Sequence, residues 1–94
     1  MTGIWVRLIK RHRIWKQETR TCAYSDARDE LTEVCRALDV PCPIWMSKHE
    51  REFEEFRRTA FNKDHFMESI EFDKLEIEFI DGDTKKKSQD PRNA

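Results

Sequence analysis

The strictest constraint in this chain is an alternation between Lys74 and Asp81, where Leu75, Ile77 and Phe79 interleave with Glu76 and Glu78. Side chains along a strand point to opposite faces in turn, so this run predicts a strand with one apolar and one charged face, led in by Ile70 and Phe72. A lone strand of that kind is unstable; it needs neighbours along its edges and a layer over its apolar side. The neighbours stand at the other end of the chain. There Ile4, Val6 and Leu8 alternate with Trp5, Arg7 and Ile9, and a second β-favouring run extends from Ile14 to Thr21. The two runs read as a hairpin whose connection around Arg11 and His12 lacks Gly or Asn, so a turn of two residues and one of four both stay open.

The covering layer comes from the middle of the chain. Over Ser25 to Asp39, the residues Ala27, Leu31, Val34, Cys35 and Leu38 fall at i, i+4, i+7, i+8 and i+11, one stripe of a helix, with Ser25 or Asp26 available as N-cap. Pro41 and Pro43 cannot continue it, so Asp39 to Trp45 is a stiff connector. Ser47 and Glu50 have the spacing of a capping box, which predicts a second helix beginning at Ser47 or Lys48. His49, Phe53, Phe56 and Ala60 would form its buried stripe, with Glu54 and Arg58 paired on another face and a chain turn near Asn62 to Asp64.

The predicted fold is a two-layer α+β domain. It has an antiparallel sheet of three strands, or four if residues 69–72 add one, with both helices on one face, in the order ββαα(β)β. Residues 1–83 form a single domain on this reading, and 84–94 a disordered polar tail. The charged fraction of 39% argues for disorder, but six Phe, three Trp and periodic apolar spacing supply a compact core.

Charge is strongly segregated beneath a net value of −1. Residues 1–22 hold six bases against Glu18, residues 23–83 hold 17 acids against 8 bases, and the last eleven hold four bases against Asp90. The basic stretch carries Trp5, Arg7, Lys10, Arg11, His12, Arg13, Trp15 and Lys16, a mixture of cations and rings suited to nucleic-acid backbones and bases. The competing reading is internal pairing, with Arg7 on the face where a neighbouring strand would present Glu76 and Glu78. If the turn is two residues long, Trp15 would stand opposite Leu8. The tip residues Lys10, Arg11, His12 and Arg13 are the candidate nucleic-acid contacts. Against that reading stands a whole-chain pI of 6.3, where dedicated binders exceed about 9.

A second candidate surface is apolar. Trp5, together with Ile44 and Trp45 on a backbone stiffened by proline, could anchor a protein partner or a second copy of the chain. Alternatively, Ile44 and Trp45 plug the end of the core.

No catalytic constellation is visible. With only Gly3 and Gly82, the chain has no phosphate-binding glycine loop, dinucleotide fingerprint or nucleophile elbow. His49 and Glu52 share a helical face, but "HEREF" is not a metalloprotease motif, and Asp81-Gly82-Asp83 lacks the spacing of a calcium loop. Neither a cofactor nor a metal is expected. Cys22, Cys35 and Cys42 are odd in number without CxxC spacing, which fits a reducing cytoplasm; Cys35 reads as a core residue and Cys42 as the exposed one. Arg7 and Lys10 interrupt the N-terminal apolar run, so neither a signal peptide nor a membrane span is expected.

The stretches PIWMSKHEREFEEFRRTAF and DHFMESIEFDKLEIEFI, with the start IWVRLIK, resemble a family of small uncharacterised proteins from anaerobic Gram-positive bacteria. The resemblance implies a bacterial cytoplasmic protein and carries no activity, ligand or catalytic residue with it. The expectation is therefore a non-enzymatic cytoplasmic module that binds a protein partner or itself, with nucleic-acid binding through the hairpin as the alternative.

Overall fold

A computed structural model describes residues 2–81; the expected turn at Gly82 and the tail at 84–94 lie outside them. Strands β1 (Thr2–Lys10) and β2 (Arg13–Thr21) form the hairpin, followed by helices α1 (Ala27–Leu38) and α2 (Ser47–Phe56) and strands β3 (Arg58–Asn62) and β4 (Lys74–Asp81). The sheet is wholly antiparallel, in the order β2-β1-β4-β3. The first and last strands are thus its central pair, as their shared alternation requires. Val6 stands between Glu18 and Ile77, and Leu8 between Lys16 and Leu75.

One face of the sheet is closed. Ile4, Val6, Leu8, Phe61, Leu75 and Ile77 are fully buried there beneath Leu31 and Val34 of α1 and His49 and Phe53 of α2. Beyond the hairpin tip, strand β2 brings Lys16, Glu18 and Arg20 to this side, so there the apolar core ends at β1 and β2 serves as a polar edge, a common guard against edge-to-edge pairing. Gly3 is buried where β1 meets β2 so closely that a Cβ would overlap the Arg20 carbonyl. The opposite face carries Trp5, Arg7, Arg58, Ala60, Glu76 and Glu78, and neither helix covers it.

Three local expectations are corrected. The second helix stops at Phe56: Arg57 turns left-handed at φ 60° while its N–H still reaches the Phe53 carbonyl at 2.9 Å. Beyond it Thr59 and Phe61 take a period of two, and pairing with Ile77 and Leu75 buries both, whereas a longer helix would have buried only Ala60 and left the β4 edge bare. The fourth strand is therefore Arg58–Asn62, while 69–72 has no strand. Finally, α2 begins at Ser47, but its N-cap is Met46, whose N–H donates to His49 Nδ1 at 3.0 Å. Glu50, freed from a capping role, pairs with Arg28 at 2.8 Å.

Candidate nucleic-acid interface

The hairpin closes with a two-residue turn between Lys10 and Arg13. Arg11 and His12 both lie in the left-handed region, at φ 55° and 67°, the arrangement whose twist matches antiparallel strands and which Asn-Gly normally supplies. Asp73 holds this turn in place. Its carboxylate accepts the Arg11 N–H at 2.8 Å, and its own N–H donates to the Ile9 carbonyl at 2.7 Å. The anchor lies 62 positions away in sequence, which is why the hairpin residues alone do not reveal it.

Behind the turn the register shifts between Leu8 and Ile9, so Trp15 is an extra residue and Leu8 faces Lys16 instead. This bulge corrects the expected pairing of Trp15 with Leu8. It leaves the indole 37% exposed, tilted against the buried Phe72 ring at 6.1 Å between centroids. Lys10 and Lys16 hold their ammonium groups 4.8 and 4.7 Å from the indole centre. Lys16 also donates to the Leu38 carbonyl at 3.3 Å, at the negative end of α1.

Among the described residues, Lys10, Arg11, Arg13 and Lys16 make no ion pair with an acid. Arg7 differs sharply. It lies 2.9 Å from Glu76 and 3.2 Å from Glu78, with its guanidinium 4.2 Å above the Trp5 ring. The basic N-terminal stretch thus divides into a neutralised strand and a free tip. Lys16 and Trp15 belong to that tip, and only the bulge brings them there.

The apolar candidates are not gathered into one surface. Trp5 lies on the open sheet face and donates its indole N–H to Gln17 at 2.9 Å. Trp45 lies in the helix layer, edge-on to Phe61 and Phe53 at 5.1 and 5.6 Å, with Arg28 over its ring at 5.2 Å. Ile44 is exposed, and its N–H donates to the His65 carbonyl at 2.8 Å. Trp5 and Trp45 are on opposite sides of the sheet.

A shallow cleft of about 470 Å³ at the β3 edge is lined by Arg7, Glu52, Phe56, Arg58, Thr59, Ala60 and Glu76. In it Arg7 pairs with Glu76 and the Thr59 hydroxyl donates to Glu52 at 2.7 Å, and the lining contains no cysteine, histidine or serine nucleophile. Among the described residues no three His, Cys, Asp or Glu side chains gather as metal ligands, and no helix is long and apolar enough to cross a membrane. In comparisons with protein families, curated proteins and solved structures, the chain matches none.

Proposed function

We propose that the protein is a non-enzymatic cytoplasmic module that binds single-stranded nucleic acid through the tip of the β1–β2 hairpin. The observation that carries this reading is an exposed indole, Trp15, set among cations that have no acidic partner among the described residues. A base stacks on an aromatic ring whatever its identity, while neighbouring Lys and Arg neutralise phosphates; together these give affinity without sequence preference. The acidic body repels phosphates elsewhere, so the contact would be confined to a few nucleotides. Free cysteines fit the reducing compartment in which such a partner is met. The reading in which the chain binds a protein or itself has less support, because Trp5, Ile44 and Trp45 do not form a common patch.

Fluorescence anisotropy with labelled mixed-sequence RNA and DNA strands tests the proposal. Binding in low salt should be weakened by added salt and by R11E/R13E, and W15A should lower affinity about five- to hundredfold, the range of one lost base stack. Absence of binding at about 100 μM in low salt would sink it, since non-specific binders reach roughly that affinity at physiological salt. Concentration-dependent dimerisation in light scattering, without nucleic-acid binding, would favour self-association instead.

A further inference from the structure

The end of α1 and the connector after it bring two cysteines together. Asp39 turns left-handed at φ 60° and the Val40 N–H caps the Cys35 carbonyl at 3.0 Å, so the chain reverses over the last turn of the helix. Pro41 and Pro43 then stiffen the returning segment, with Pro43 buried. Cys42 between them is exposed, yet its Sγ lies 3.7 Å from the Thr32 hydroxyl, three residues before Cys35 on the same helical face. The returning Cys42 thiol therefore stands beside the Cys35 thiol, one open to solvent and one buried.

We propose that Cys42 is a modification site for hydroperoxides and that Cys35 resolves it into an intramolecular disulfide. The Cys42 thiolate attacks one oxygen of hydrogen peroxide, the O–O bond breaks, and Cys42 becomes a sulfenic acid as hydroxide leaves. The Cys35 sulfur then attacks the Cys42 sulfur, forming the S–S bond and expelling the sulfenic hydroxyl, which takes the Cys35 proton to leave as water. The first hydroxide recovers the proton that Cys42 had released. In total two thiols lose two electrons and two protons, and one peroxide becomes two waters.

The local chemistry favours this division of labour. The hydrogen bond from Cys35 lowers the Cys42 thiol to about 6; burial opposes that shift, and Thr32 adds to it. The same pairing, followed by burial, raises Cys35 and keeps it protonated until it acts. Cys22 is pushed up by burial and by Glu30 and Asp26, so it serves as an internal control. Low-pKa, accessible thiols beside a resolving cysteine are the ones that oxidise reversibly.

The test uses the full chain treated with stoichiometric hydrogen peroxide and read by intact mass, free-thiol titration and peptide mapping. The expected product is a monomer lighter by two hydrogens, with two of its three thiols lost and residues 35 and 42 bridged. In C35A, dimedone should trap a sulfenic acid on Cys42; in C42A, Cys35 should stay reduced. Without any substitution, Cys42 should also alkylate at least about tenfold faster than Cys22 at neutral pH. Bridges through Cys22 or between chains, dimedone labelling of Cys42 as strong in the wild type as in C35A, or equal alkylation rates would overturn the proposal. None of these readouts depends on nucleic-acid binding.

Discussion

His49 is surrounded by rings, yet a backbone hydrogen bond defines its role. It stacks on Phe61 at 4.2 Å and meets His65 edge-on at 4.4 Å, while Nδ1 accepts the Met46 N–H. His65 repeats the device, accepting the Asn62 N–H at 3.1 Å three residues downstream, so both histidines cap the start of a helical turn. With Nδ1 as acceptor, the proton of neutral His49 sits on Nε2, which is buried without a hydrogen-bond partner among the described residues. Burial first, then the charges of His65 and Lys48, lower its pKa from 6.5, and Glu52 and the Ala60 carbonyl only partly oppose this. The unfolded chain therefore takes up a proton near 6.5 that the folded chain refuses, and stability falls as pH drops through that value until the lower folded value is reached. Glu76 acts lower on the scale. Burial works against its charge, but hydrogen bonds from Lys74 and Arg7 prevail, so its contribution is present above 4.5 and is lost as pH falls through its depressed folded value. Urea unfolding should show wild-type stability declining between about pH 7 and 5. H49L should lose about 1–3 kcal/mol at pH 7.5 by orphaning the Met46 N–H, and should flatten that decline. An undiminished slope in H49L would assign it to another group.

At the scale of elements, the hairpin and the end of α2 contrast in how far the sequence reveals them. Two non-glycine residues at positive φ cost of order 1 kcal/mol each, so R11N/H12G should raise stability by about 1 kcal/mol or more while weakening nucleic-acid binding. A gain in both properties would separate the tip cations from binding. The end of α2 is tested by two phenylalanines that both suit a helical stripe: Phe53 is 4% exposed and Phe56 63%. F53A should cost about 3–5 kcal/mol and F56A about 0.5 or less in denaturant unfolding. Equal losses would mean that the helix buries Phe56 after all. The sheet, both helices and their shared face follow from periodicity because Leu75, Ile77, Leu31 and Val34 each have only one way to reach the core. Residues 53–61 carry both periods at once, and only pairing with β4 decides between them. The bulge at Trp15 and the anchor at Asp73 are tertiary events with no local signal, so Lys10, Arg11 and Arg13 were legible as tip cations, while Lys16 and the Trp15 ring were not placed beside them.

Over the whole molecule, the segregated charge resolves into two arrangements with different salt responses. Arg7, with its side chain 13% exposed, is fixed between Glu76 and Glu78, and Lys74 joins Glu76 at 3.2 Å, so this cluster ties β1 to β4. Lys10, Arg11, Arg13 and Lys16 at the tip are free of acids among the described residues and remain available for phosphates. Each phosphate neutralised on a single strand contributes about −0.7 to the slope of log affinity against log salt, so four contacts give roughly −3. R11E/R13E should bring that slope to about −1.4 or flatter, because two contacts are lost. R7Q should leave the slope unchanged and instead lower stability by about 1–3 kcal/mol, since it removes the charged donor of Glu78 and leaves half-buried Glu76 with Lys74 alone. Anisotropy titrations over a salt series, run beside urea unfolding of the same variants, separate the two effects. A slope that falls in R7Q as much as in the tip variant would mean that the open sheet face, and not the hairpin tip, carries the nucleic acid.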